Sequence, residues 1–109
     1  MRVWDIPCKR LCRNHLLGEH RELHAIWSVI TKNKNGYSRH PETLRWKGKL
    51  KALYIRHGEL VVEMARRGYR HMSVLPKRLA RGSARQDVFV DPYREQFKIL
   101  RRKGCDCFK

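Results

Sequence analysis

The sequence predicts an all-α fold: a compact single domain of three main helices with long connecting loops. Three observations predict it. Two long stretches carry apolar residues at helical spacing, a third is bracketed by helix start and stop residues, and only one triplet reads as a strand. Residues 1 to 12 read as an extended start and a turn, because Pro7 fixes its own backbone angle and holds Ile6 out of the helical region. From about Asn14, a residue type favoured at helix starts, Leu16, Leu23, Trp27 and Ile30 recur at helical spacing, and the pattern fades over residues 33 to 36. Asn35-Gly36 and Ser38-Arg39-His40-Pro41 read as a loop. Trp46, Leu50, Leu53, Tyr54, His57, Leu60, Val61 and Met64 then fall on one stripe, which Gly68 stops after Arg66 and Arg67. Gly58 inside this second helix costs about 1 kcal/mol relative to alanine. Residues 69 to 90 predict an irregular segment with at most one short helix near residues 76 to 81. Asp91-Pro92, then Tyr93, Phe97, Leu100 and Gly104, place an N-cap, a first-turn proline, an apolar stripe and a C-terminal glycine in the order a third helix needs. Val88-Phe89-Val90 alone looks extended, and one short strand makes no sheet.

A chain of 109 residues fits one domain over residues 1 to 109, and 41% hydrophobic residues suffice for its core. Lys and Arg number 26 against 10 Asp and Glu, a formal charge of +16 that draws in polyanions. Nucleic acid is the default partner, while an anionic membrane surface or an acidic protein also fits the charge. No apolar run approaches the roughly 20 residues of a bilayer span, and residues 1 to 10 lack a signal-peptide core, so no membrane partner and a cytoplasmic, nucleoid-associated location are expected. A monomer is the default. Cys8, Cys12, Cys105 and Cys107 supply the four thiols of a zinc site if the chain ends meet, but the spacings are unusual; a disulfide and ordinary reduced thiols are the other two readings.

On the first helix His15, Glu19 and Glu22 stand at i, i+4 and i+7, bordering the apolar face of Leu16, Leu23 and Ile30. Carboxylates beside apolar surface have their charged form disfavoured, which moves them toward the range of general acid or base work. The alternative is that both are solvated helix residues paired with His15, Arg2 or Arg21.

Arg2 followed by His15-Leu16-Leu17-Gly18-Glu19-His20-Arg21-Glu22-Leu23 resembles the first segment of the pyrimidine-dimer DNA glycosylase/AP lyases of the bacteriophage endonuclease V type. There an N-terminal residue is followed by Arg and, about a dozen residues on, by a His-Leu-x-x-Glu-x-Arg-Glu-Leu helix; the spacing from Arg2 to Glu22 matches without a gap. Lys49-Leu50 through Leu60-Val61, Glu63 and Arg67-Gly68-Tyr69 is similar to that family's next long helix and its Lys-Arg-Gly-aromatic ending. The resemblance implies that the α-amine of Met1 is the nucleophile, that Glu22 is the essential acidic residue, and that Arg2 and Arg21 grip the DNA backbone. Met1 stands where members expose a Thr, and the bulky Arg2 favours its retention. An α-amine, with a reference pKa of about 7.7 to 8.0, is partly neutral at physiological pH where a lysine is not. No organic cofactor and no catalytic metal are implied.

The resemblance also has departures. Ala25 replaces a basic residue, the loop between the long helices is shorter, and the end Gly104-Cys105-Asp106-Cys107-Phe108-Lys109 lacks a Trp- and Tyr-rich tail, so the preferred lesion stays open. Lys32, Lys34, Arg39, Arg45, Lys47, Lys49, Lys77, Arg78, Arg81 and Arg85 lie in or beside the expected loops, within reach of phosphates. The expected contacts to double-stranded damaged DNA are Arg2, His15, Arg21, Lys34, Arg39, Arg45, Lys77 and Arg81. Trp27, Trp46 and Tyr54 are assigned to the core, Tyr37 and Tyr69 to the DNA side. Two rivals remain, a glycosylase or AP lyase for another lesion and a non-catalytic basic nucleic-acid-binding module.

Overall fold

Among the described residues, side chains from the extended N-terminal residues and from every α-helix close one interior. The computed structural model describes residues 2–32, 40–70 and 74–103. Four α-helices follow the N-terminal segment: α1 (Arg13–Thr31), α2 (Pro41–Trp46), α3 (Leu50–Arg66) and α4 (Tyr93–Arg102). Single 3-10 turns occur at Cys8–Arg10 and Lys77–Leu79. The all-α expectation holds, and among the described residues extended pairing is limited to one bridge between Lys49 and Gly82. No described helix is long and apolar enough to cross a membrane.

Helices α1 and α3 pack against each other, with Leu16, Leu23, Ile26 and Trp27 facing Leu53, Leu60 and Met64 in one buried cluster. Val3, Trp4 and Ile6 from the N-terminal segment and Leu100 from α4 complete that cluster. Trp27 and Trp46 are buried and Tyr54 packs at the edge, as their positions on apolar stripes predicted.

The stretch from His40 to Trp46 departs from expectation. His40 and Pro41 begin helix α2 instead of continuing a loop: the His40 imidazole accepts the Glu42 backbone N–H at 3.1 Å, and Pro41 occupies the first turn, where its missing N–H costs nothing. Trp46 therefore ends α2 and does not open α3. Gly48, at φ 74°, makes the break between them.

The start of α3 has no side-chain cap, and the chain returning at residues 81–83 caps it with backbone carbonyls. Lys51 N–H donates to the Arg81 carbonyl at 2.9 Å and Ala52 N–H to the Ser83 carbonyl at 3.1 Å, which satisfies two of the orphan donors of the first turn. This approach requires glycine at position 82, where φ is 87° and an added Cβ would meet the Gly48 carbonyl oxygen at 2.1 Å. Nor does Asp91 cap α4; its carboxylate pairs with Arg2 at 2.8 Å, and Pro92 stands at the N-cap.

Arg45 is the plainest correction. Expected among the DNA contacts, it is buried beneath the N-terminal segment, where its guanidinium donates to the Val3 carbonyl at 2.7 Å and the Val88 carbonyl at 2.9 Å. It also pairs with Asp5 at 3.1 Å and Glu42 at 2.7 Å. The sequence shows a cation beside a loop; burial follows because α2 forms there and turns Arg45 inward beside Glu42, three residues before it. Replacing Arg45 with Ala strands Asp5 and Glu42, and is expected to cost about 3 to 5 kcal/mol in urea-monitored unfolding, whereas Arg81→Ala, at an exposed side chain, stays within about 0.5 kcal/mol of the parent.

Candidate active site

Helix α1 sets one carboxylate into the core and another at the surface. Leu16, Leu23, Ile26 and Trp27 fix the buried face, so Glu19 points inward with them and Glu22, three residues on, emerges at the margin. Glu19 is fully enclosed and accepts both Arg56 Nε at 2.7 Å and Arg56 Nη2 at 3.1 Å from α3. Burial pushes the Glu19 carboxyl up, while Arg56 and the Trp4 backbone N–H favour its charged form. This side chain joins two helices.

Glu22 is half-buried, and among the described residues no ion pair engages it. It lines an open cleft of about 410 Å³ with Arg2, Trp4, Asn14, His15, Ile99 and Lys103, which Glu19 backs from below. The N-terminal segment, α1 and the end of α4 thus each contribute a wall. Arg2 lies over the Trp4 ring at 4.8 Å, and His15 meets the same ring edge-on at 5.9 Å. His15 Nδ1 stands 3.1 Å from Cys12 Sγ. Burial, and then the positive charge of Lys103, holds the His15 imidazole below its ordinary value of 6.5.

The structure therefore brings together Arg2, His15 and Glu22 from the predicted set. Arg21 is exposed and lines an adjoining cleft with Asn14, Leu17 and His20; Asn14 is shared by both clefts. Lys77 and Arg81 are exposed on the segment between α3 and α4, away from the cleft lining. Met1, Lys34, Arg39, Tyr37, Cys105 and Cys107 lie outside the described residues. Tyr69 is half-buried beneath the Arg13 guanidinium at 5.7 Å. Cys8 is a free thiol, and burial pushes it up to about 11.

A family model described as pyrimidine dimer DNA glycosylase matches residues 1–76. The chain belongs to the pyrimidine dimer DNA glycosylase family. No curated protein and no solved structure matches it significantly. The match takes in every cleft residue that the N-terminal segment and α1 supply, and leaves Ile99 on α4 and Lys103 at its end beyond it. Lys103 had no distinguishing signal in the sequence, since a cation in a last helical turn is ordinary. The histidines of α1 had one: His20 and His24 stand at i and i+4, on one helix face.

Because folding disfavours protonated His15, its contribution to stability is intact above pH 6.5 and is lost as the pH falls from there through the lowered folded value. Proton NMR titration of the folded protein should show His15 titrating below 6.5, and Lys103→Gln should move it back upward; a midpoint at or above 6.5 in the parent contradicts the assignment.

Proposed function

We propose that this member of the pyrimidine dimer DNA glycosylase family removes a damaged pyrimidine, of the cyclobutane-dimer type, from duplex DNA and cuts the strand through an imine on the α-amine of Met1. The observation that carries this reading is the meeting of Arg2 and Glu22 in one cleft: the residue next to the proposed nucleophile lines it together with the carboxylate that the sequence resemblance implies is essential. In the first step the amine lone pair bonds to the anomeric carbon, and the glycosidic bond electrons leave with the base, which takes up a proton. The sugar ring then opens to an iminium, its ring oxygen becoming a hydroxyl. Loss of a proton from the neighbouring carbon expels the 3′ phosphate by β-elimination.

Glu22 serves this sequence in two ways. As a carboxylate it stabilises the positive charge that develops on the sugar, and it can accept and return the protons that move. Arg2 and Lys103 at the cleft and Arg21 beside it hold the phosphates. The anomeric carbon is buried in a stacked duplex, so a nucleotide must be extruded for the amine to reach it. With about six phosphates neutralised, log affinity should fall against log salt with a slope near −5.

Borohydride trapping on duplex DNA with one abasic site tests the chemistry. An adduct mapped to the Met1 amine, lost when that amine is blocked, is expected, as is a Glu22→Gln protein that binds DNA at least as tightly as the parent but nicks dimer-containing duplex at least about 10²-fold more slowly. A parent protein that binds and never traps would falsify the imine route. Trapping on abasic DNA without release of pyrimidine dimers would assign the cleft to another lesion.

A further inference from the structure

On the side of α1 next to the cleft, three imidazoles converge. His20 and His24 lie one turn apart on α1, and His57 reaches them from α3. Their ring centroids are 4.6 Å, 5.1 Å and 4.9 Å apart, and one ligating nitrogen from each falls within 4.8 Å of the others. The closest pair, His24 Nε2 and His57 Nε2, is 3.1 Å apart. We infer that His20, His24 and His57 form a binding site for a divalent transition-metal ion, zinc foremost, with the fourth position open to water.

The geometry suits the ion. At zinc–imidazole distances of about 2.0 to 2.1 Å, tetrahedral ligand nitrogens stand roughly 3.3 Å apart. The His24–His57 pair is already at that separation, and the wider pairs close by rotation of half-buried side chains. A hydrogen bond between His24 and His57 accounts for that pair alone; His20 brings a third nitrogen to the same point. Imidazole ligates a metal ion in its neutral form. An all-imidazole set favours zinc, copper or nickel over magnesium or calcium, whose ligands are oxygens. Solvent reaches the cluster from two sides, since His24 lines a cleft of about 530 Å³ with Trp27, Leu75 and Leu79, and His20 lines the cleft that holds Arg21.

Among the described residues this is the one group of three metal-capable side chains, and it does not include Cys8 or Cys12. The site is independent of the glycosylase reading. Its consequence is mechanical: an ion held by two residues of α1 and one of α3 clamps the helix pair one turn or less from Arg21 and Glu22.

Metal-stripped full-length protein titrated with zinc by calorimetry, and with cobalt by absorption, tests the assignment. One equivalent should bind, cobalt should give the visible bands of a tetrahedral nitrogen site without thiolate charge-transfer bands, and zinc should raise the melting temperature. His20→Gln and His24→Gln, at half-buried positions and checked for folding by circular dichroism, should each weaken binding by at least about tenfold and lose the melting shift. A Cys105→Ser/Cys107→Ser protein should bind as the parent does. Absence of stoichiometric binding by the folded parent, or binding that survives the histidine changes and disappears with the cysteines, overturns the proposal.

Discussion

The structure depends on satisfying the backbone of an extended segment that has no strand beside it. Val3, Trp4 and Ile6 must be buried to close the core, and that places the intervening N–H and C=O groups away from water, where each unpaired one costs on the order of 1 to 3 kcal/mol. A sheet would pair them. Here side chains do so: Glu42 Oε1 accepts Val3 N–H at 3.3 Å, Arg45 donates to the Val3 carbonyl, and Gln96 Oε1 accepts Asp5 N–H at 2.8 Å. Gln96 also donates to Asp5 and to the Asp91 carbonyl. The buried polar residues of α2 and α4 are thus the substitute for a neighbouring strand, and their short helices exist to carry them.

That arrangement fixes where Arg2 can be. With Val3 held on both sides by α2 and Asp5 held by α4, the preceding residue emerges between α1 and the end of α4, and the Arg2–Asp91 pair and the Trp4 ring set its direction. Glu19 supports the same point from beneath. Its bidentate pair with Arg56 locks the rotation of α1 against α3, and so fixes the angle at which Glu22 leaves the helix. A buried pair of this kind contributes little net stability over apolar packing, but it specifies one register of the two helices, which a loosely packed Leu pair would not.

Much of this was legible in the residues, and the limits have physical causes. The long helices α1 and α3 announce themselves because a 3.6-residue apolar period needs no tertiary information. Glu22 and Arg2 were singled out by a motif whose two ends meet in three dimensions, Glu22 on α1 and Arg2 on the segment that α2 and α4 hold beside it. Helix α2 was missed because six residues give too little periodicity, and because its start relies on the less common His40 as cap. The inward turn of Arg45 was illegible for another reason: its partners Val3, Asp5 and Val88 are about forty residues away on either side, and only the closed fold brings them together. His57 was read as one more member of an apolar stripe; that it meets His20 and His24 depends on the α1–α3 register alone.

The electrostatics of the cleft follow from the separation of the two glutamates. Glu19 is neutralised within the core by Arg56, so among the described residues that line the cleft Glu22 is the carboxylate left beside Lys103 and Arg2, the latter also paired with Asp91. For plain phosphate binding this is a poor choice, because a negative charge in a basic groove weakens the ground-state complex with DNA. The same charge becomes favourable only when the bound group turns positive, as a sugar does when its base departs. An interaction that opposes binding and assists the later state lowers the barrier rather than the affinity, which is the condition for catalysis. Under the proposed mechanism, that is the part Glu22 plays.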